Sequence, residues 1–387
     1  MSREEALAGL FSGAEAKPSA LEGVRVVEIC GANYACRIAG SILGELGAEV
    51  YTVPDEDAKD ITPHGVKIGG VGIPYLIEGR GKREIPLADV PKLLPVDILI
   101  DGLGPGKLHS MGLGYPQLSE KYPDLIYVAI SQFGHYGEKA KEYANMPDSD
   151  LTAQAYNGYM AMLGNPSLPE PYSYPIRAGV WLGWAFAGAA AALGALAAYW
   201  ARLRTGRGQF VDVAINEVLS VVHPYQVGAP FVLGKSRQRS PTIDANLLVT
   251  YTTARAKDGF VALATVIWPE VEAFFEIIGR PDLANRWREA LEAWEREPQR
   301  LRELEAEVFA EVAKYSGEDL VKASREKGRP PIAVVKTLEY VAAQEHWRIR
   351  RAIIQCGDLL VPGTPFMMSE TPGRARCPQL PEPTARA

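Results

Sequence analysis

Short β-branched runs alternate with longer segments of helical spacing through the first half of the chain. The run VRVVEIC at residues 24–30 reads as a buried strand, a loop and helix follow over about 33–46, and a second strand is predicted at 49–53. That succession is a β-α-β unit of the parallel kind, for which a right-handed crossover is expected. Further strands are predicted at 97–100 and 125–130, so an open α/β sheet continues. Residues 148–162 carry helical spacing and lead through the proline-rich SLPEPYSYP into a long, charge-free stretch at 178–201. After about Pro230 the pattern changes. Antiparallel strands are predicted at 247–254 and 259–266 around the turn 256–259, followed by charged helices at 270–278 and within 283–315. From Pro330 the chain turns apolar again, and a Pro- and Arg-rich tail after Gly373 is expected to be mobile. The pattern predicts a large α/β domain over 1–225, a small α+β domain over 226–325, and a return to the large domain over 326–387.

Composition narrows the classes. With 387 residues and 47% hydrophobic content the chain can bury a large core, consistent with two domains. A net charge of -6 and scattered basic residues argue against nucleic acid or an anionic membrane as the main partner. The stretch 178–201 is long enough to span the roughly 30 Å hydrocarbon core of a bilayer. Its alanine and glycine content and the lack of a second span favour a buried helix instead. Cys30, Cys36, Cys356 and Cys377 form no CxxC pair, and the five histidines are far apart in sequence, so no metal site is expected. The opening MSREEALAGLF shows no secretory pattern, and a reducing cytoplasmic location is the expectation. Asp55 lies where an acidic residue would hold the ribose of a dinucleotide. The turn before it, CGANYAC, has one glycine, and a nicotinamide cofactor is therefore not expected.

Several motifs occur in one order: LEGVRVVEI, LGELGAEVYTV, GRGKREIPL, VDILIDGLGPGKLHSMGLGY, PDLIYVAISQFG, DLTAQAYNG, TGRGQFVDV, KDGFVALA and GTPFMMSETPG. Together they resemble the family III CoA-transferases, the formyl-CoA and carnitine CoA-transferase type, from about Leu21 to Gly373. The resemblance implies an open, Rossmann-like parallel-sheet domain built from both chain ends, a smaller domain between them, and two interlocked subunits. It also implies a CoA thioester as substrate, with no tightly bound cofactor.

In that family an aspartate attacks the thioester, four residues before the glycine matched by Gly188 and twenty-one before the threonine matched by Thr205. Here that position is Trp184. An indole offers no lone pair to a thioester and cannot form the mixed anhydride a carboxylate forms. Positions matching the family's CoA contacts are also altered. Asp55 follows the second strand where a basic residue holds phosphate, Gly102-Leu103 replaces an Asn-Phe pair, Ser110 replaces a basic residue, and Gly79 replaces an asparagine. Ala35, Lys82, Leu103 and Met111 are what the resemblance leaves as a degenerate CoA site. A racemase reading within the same fold needs a histidine where Ser149 stands and an aspartate near Trp184. Asp148, Asp150 and Glu217 are the candidates for a displaced nucleophile, with Asp150 expected to cap a helix.

The reading that follows is a non-catalytic subunit paired with a paralogue that carries the aspartate. The pair would move CoA from an acyl-CoA such as succinyl-CoA to an organic acid such as benzylsuccinate. Trp184, Tyr156, Trp181 and Trp268 are candidate apolar walls of an acceptor pocket. The alternatives are a homodimeric acyl-CoA-binding pseudoenzyme and an active enzyme with a relocated carboxylate.

Overall fold

The computed structural model describes residues 2–62, 65–179, 181–222, 251–293 and 296–381, with a few single residues between 223 and 250. The chain divides into two compact units. The larger comprises residues 1–161, 177–237 and 344–387, and the smaller comprises 162–176 and 238–343.

The segment before the first sheet strand, read from sequence as a lead-in, contains a helix, α1 (Arg3–Leu10), closed by a Ser2–Glu5 capping box. The larger unit is built on a six-stranded, wholly parallel sheet. Its strands are β1 (Arg25–Ile29), β2 (Glu49–Thr52), β3 (Arg83–Glu84), β4 (Ile98–Asp101), β5 (Ile126–Ser131) and β6 (Phe210–Ala214). The spatial order is β3-β2-β1-β4-β5-β6. The chain therefore builds outward from β1 in one direction and then returns to build in the other, which leaves a topological switch point between β1 and β4. β1, β4 and β5 are buried almost throughout, as their unbroken Val/Ile/Leu runs require of central parallel strands.

Two helices cover one face of the sheet. The first, α2 (Tyr34–Glu45), starts at Asn33, whose side chain accepts from the Cys36 amide at 3.1 Å. A short helix, α3 (Glu56–Asp60), follows β2 and is capped by Asp55. Another, α4 (Asp150–Tyr156), precedes the long helix α5 (Leu182–Thr205), which ends on the left-handed Gly206. By length and composition α5 could cross a membrane. Its Gly183, Trp184, Ala187, Gly188, Ala191, Ala192, Ala195 and Ala198 are buried, which accounts for the alanine-rich sequence as a close-packing face. At Gly188 an added Cβ would sit 2.7 Å from Ile38 Cβ and 2.8 Å from the Ala35 carbonyl, so α5 approaches α2 as closely as its backbone allows.

In the smaller unit, β7 (Tyr251–Ala256), β8 (Gly259–Ala264) and β9 (Ile332–Val334) form an antiparallel sheet with β8 central. The β7–β8 turn falls at Lys257-Asp258, inside the turn the sequence predicts; residues 247–250 of the expected strand lie outside the described residues. Helices α6 (Trp268–Ile277), α7 (Asp282–Glu292), α8 (Pro298–Val312) and α9 (Gly317–Lys327) follow. The charged region 283–315 resolves into α7 and α8, the latter begun by a proline that fits a first helical turn. Phe274, Phe275 and Trp287 are fully buried at the centre of this unit.

Two disulfides join cysteines that their spacing does not pair by inspection. Cys30 is bonded to Cys36, and Cys356 to Cys377. For residues 374–377 the second corrects the expectation of a mobile tail, the rest of which from 382 lies outside the described residues. Residues 374–377 are held by that bond, and the Arg374 amide donates to the Glu45 carbonyl at 2.7 Å.

Candidate functional site

The carboxyl ends of parallel strands are where an open α/β sheet offers a crevice. A cavity of about 230 Å³ opens there at the switch point. Its walls are the turn after β1 (Cys30–Asn33), the loop after β4 (Gly102–Pro105 and Lys107), and the segment after β5 (Ser131–Gly134). Asp55 and Asp57 from the β2 side and the approach to α4, ending at Asp148, complete it.

Asp148 is the most tightly held carboxylate in these walls. One oxygen accepts from the Gln132 amide at 2.7 Å and the other from Asn33 Nδ2 at 2.8 Å. Asn33 Nδ2 also donates to the Ile130 carbonyl, while Asn33 Oδ1 caps α2. Burial raises the Asp148 carboxyl to about 6, a shift these hydrogen bonds only partly oppose. With Asp55 and Asp57 also in the lining, Lys107 is its one cationic residue among the described residues. A cavity with this balance attracts a polyphosphate poorly, because three carboxylates face a single ammonium.

Of the four residues proposed for a degenerate CoA site, only Leu103 lines this cavity; its amide donates to Asp101 Oδ1 at 3.0 Å. The other three are placed elsewhere. Lys82 is buried, with its ammonium 2.8 Å from both oxygens of Glu28 and 2.7 Å from the Arg37 carbonyl. It neutralises Glu28, which is fully buried on β1, and has no donor free for a phosphate. Ala35 is fully buried under α5, and Met111 is half-exposed outside the cavity walls.

Trp184, expected at the nucleophile's position, packs into the core. Its ring lies 5.5 Å from Tyr34 and 5.0 Å from Trp181, and Trp181 lies 4.6 Å from Tyr34. These three rings form a compact aromatic cluster at the N-terminus of α5. The Trp184 indole nitrogen is buried without a hydrogen-bond partner among the described residues. Asp150 supplies the cap of this helix: its Oδ1 accepts from the Gly183 amide at 2.6 Å and the Trp184 amide at 3.2 Å, and its Oδ2 accepts from Gln154. A carboxylate at a helix N-terminus is favoured by the unpaired amides and by the helix dipole. Asp150 is thereby committed to structure, and Glu217 is solvent-exposed outside the cavity walls. Ser149 presents no imidazole, and its amide donates to Gln132 Oε1.

The aromatic residues proposed as pocket walls do not converge on one place. Trp181 and Trp184 belong to the cluster under α5. Tyr156 is exposed and meets the edge of Phe133, a cavity residue, at 4.8 Å. Trp268 lies in the smaller unit beneath the Arg288 guanidinium, with its indole nitrogen donating to Glu272. Sequence reasoning missed Lys107 and Asn33. The signals available were the PGK of the loop after β4 and an N-cap asparagine directly after the first strand.

The chain belongs to CoA-transferase family III, whose family model matches residues 21–385. It is 27% identical over 372 residues to a succinyl-CoA–D-citramalate CoA-transferase of Chloroflexus aurantiacus, covering 92% of this chain and 89% of that protein. It is 30% identical over 356 residues to a bile acid CoA-transferase of Clostridium scindens, covering 87% and 76%. A succinyl-CoA–L-malate CoA-transferase alpha subunit of Chloroflexus aurantiacus is 28% identical over 92% of this chain and 84% of its own length. Among solved structures, a CAIB/BAIF family protein from Brucella suis superposes with a TM-score of 0.76 at 25% identity, covering 94% of this chain and 97% of that one.

Proposed function

We propose that this chain is the non-catalytic subunit of a heteromeric family III CoA-transferase, in which a paralogous subunit supplies the nucleophilic aspartate. The observation that carries the reading is Trp184. It stands in ungapped register with Gly188 and Thr205, and its ring is buried against Tyr34 and Trp181, where a carboxylate would be taken out of solvent among aromatic rings. The acidic balance of the strand-end cavity supports the same reading, since three carboxylates offset its one lysine, Lys107, where CoA phosphates would need cations.

In the complex, the partner's aspartate would attack the thioester carbonyl of the donor acyl-CoA and expel the CoA thiolate, leaving a mixed anhydride. The thiolate would then return to the aspartyl carbonyl, releasing the donor acid and forming an enzyme CoA thioester. The acceptor carboxylate would attack that thioester and expel the CoA thiolate, giving a second mixed anhydride, and the thiolate would then attack the acceptor's carbonyl, releasing the new CoA ester and the free aspartate. This chain would contribute the subunit surface and part of the acceptor pocket. The proteins named above favour succinyl-CoA as donor, because two of the relatives are named for it and one is called an alpha subunit. Benzylsuccinate as acceptor rests on resemblance to two-subunit transferases of that acid.

A second reading has its own observation. Asp148 is a carboxylate raised to about 6 that lines a cavity, so a relocated nucleophile on this chain would be Asp148. The deciding experiment is purification of the tagged chain from its own host, with native mass spectrometry and a succinyl-CoA transfer assay on the same sample. A stoichiometric partner with aspartate at the position of Trp184, and activity abolished by changing that aspartate, establishes the subunit reading. A homodimer active by itself and silenced by Asp148→Asn replaces it with the relocated nucleophile. An inactive homodimer replaces it with a ligand-binding pseudoenzyme.

A further inference from the structure

A second cavity in the larger unit, of about 380 Å³, shares no lining residue with the cavity at the strand ends. It is formed where the two ends of the chain meet. The N-terminal side contributes Phe11, Ala14 and Glu15, and the C-terminal return contributes Arg350, Arg351, Ile354, Thr364, residues 366–369 and residues 372–375. Its volume falls in the roughly 300–1,000 Å³ range of small-molecule sites.

The walls are cross-linked by charged side chains that donate to backbone carbonyls of the opposite segment. Lys17 Nζ donates to the Leu10 carbonyl at 3.0 Å and to the Ser369 carbonyl at 2.7 Å, tying the N-terminal segment to the C-terminal one. The Arg374 guanidinium donates to the Lys17 and Glu15 carbonyls. The Cys356–Cys377 disulfide closes the C-terminal return behind it. The cavity is therefore preorganised, and a ligand need not pay to order these segments.

Two further arginines of the lining donate to no such carbonyl. Arg350 and Arg351 are exposed, and neither has an ion-pair partner among the described residues. Glu15 is the one carboxylate in the lining, so the cavity carries a net positive charge. Beside these guanidiniums lies an apolar floor of Phe11, Ile354, Phe366 and Met368, the last packed against the main core of this unit. Paired guanidiniums match a carboxylate in planar, bidentate geometry, and the floor matches a hydrocarbon or aromatic body.

We propose that this cavity binds an organic acid with an apolar body, the carboxylate held by Arg350 and Arg351 and the body lying over Phe11, Ile354, Phe366 and Met368. The site needs neither a nucleophile nor a CoA moiety and does not rest on the reading of Trp184.

The test is isothermal titration of the full-length protein with octanoate and with the uncharged octanamide. Octanoate should bind saturably, one per chain, and at least about tenfold more tightly than octanamide, the size expected when a charge-assisted hydrogen-bond pair is lost. Arg350→Gln/Arg351→Gln should weaken octanoate by at least about tenfold while leaving the unfolding midpoint unchanged, because both side chains are exposed and unpaired. Phe366→Ala should weaken octanoate without removing the preference over octanamide. No saturable binding by the wild-type protein, equal affinity for the two ligands, or octanoate binding indifferent to the arginine pair would each overturn the proposal.

Discussion

Trp184 and Asp148 have opposite physical situations, and each yields a measurable consequence. The Trp184 indole nitrogen is buried without a partner among the described residues, so its contribution comes from ring volume packed against Tyr34 and Trp181. Trp184→Phe removes no hydrogen bond and should cost about 1–2 kcal/mol in urea denaturation, whereas Trp184→Ala should cost about 3–5 kcal/mol through the cavity it leaves. Trp184→Asp, which restores the family's residue type, should be at least as destabilising as the alanine change and should give no transferase activity, because the new carboxylate would lie unpaired among aromatic rings. Equal losses for phenylalanine and alanine would show that the indole nitrogen has a role the packing does not explain.

Asp148 is governed by its proton. Its carboxyl is raised by burial to about 6, above the ordinary aspartate value, so between about pH 4 and pH 6 the folded chain binds more protons at this group than the unfolded chain does. Stability contributed by this group therefore falls as pH rises through that window. Asp148→Asn should flatten that part of the stability profile, as read from urea midpoints at closely spaced pH values. An unchanged slope would mean that the carboxyl is not held near 6.

At the scale of elements, α5 shows how a sequence pattern maps onto packing. Its charge-free, alanine-rich composition fits both a membrane span and a close-packed helix, and the structure gives one side of it to α2 and the sheet. Gly188 sets that contact, because a Cβ there would meet Ile38 and the Ala35 carbonyl at less than 3 Å. Alanine normally improves a helix interior by about 1 kcal/mol over glycine. Gly188→Ala should nevertheless be destabilising by about 1–3 kcal/mol, since the backbone carbonyl of Ala35 cannot move aside as a flexible side chain would. A stabilised Gly188→Ala protein would show that the two helices can slide apart at no cost.

The strands of the sheet were legible in the sequence because each is a short β-branched run with turn residues at its ends, and β1 and β2 fall within a residue or two of their predicted bounds. The register of Trp184 was legible because no loop separates it from Gly188 and Thr205. The strand-end cavity was not. Asp148, Asn33 and Lys107 meet there from three different loops, and nothing in their local patterns states the distance between them. Lys82 lies elsewhere for a related reason: a lysine in a motif reads the same whether it meets a ligand or a buried carboxylate such as Glu28.

For the molecule as a whole, the important feature is that the larger unit is assembled from three separate stretches of chain, the last of which begins at residue 344. Several contacts that complete it come late: the Arg374 amide on the Glu45 carbonyl, Lys17 on the Ser369 carbonyl, and the Cys356–Cys377 bond. These join positions far apart in sequence, and ordering the returning segment carries a backbone entropy cost of roughly 1–2 kcal/mol per residue. The disulfide offsets part of that cost by restricting the unfolded chain. With a sequence separation of 21, a chain-entropy model puts the offset at about 3 kcal/mol. Cys356→Ser/Cys377→Ser should therefore lower stability by about that amount, as read from urea denaturation. The loss should extend beyond the tail. Because residues 364–375 form one wall of the arginine-lined cavity, octanoate affinity should fall along with stability, whereas hydrogen exchange within β7, β8 and β9 of the smaller unit should be unchanged. Exchange that rose equally in both units would mean that the C-terminal return stabilises the entire chain and not only the larger unit it rejoins.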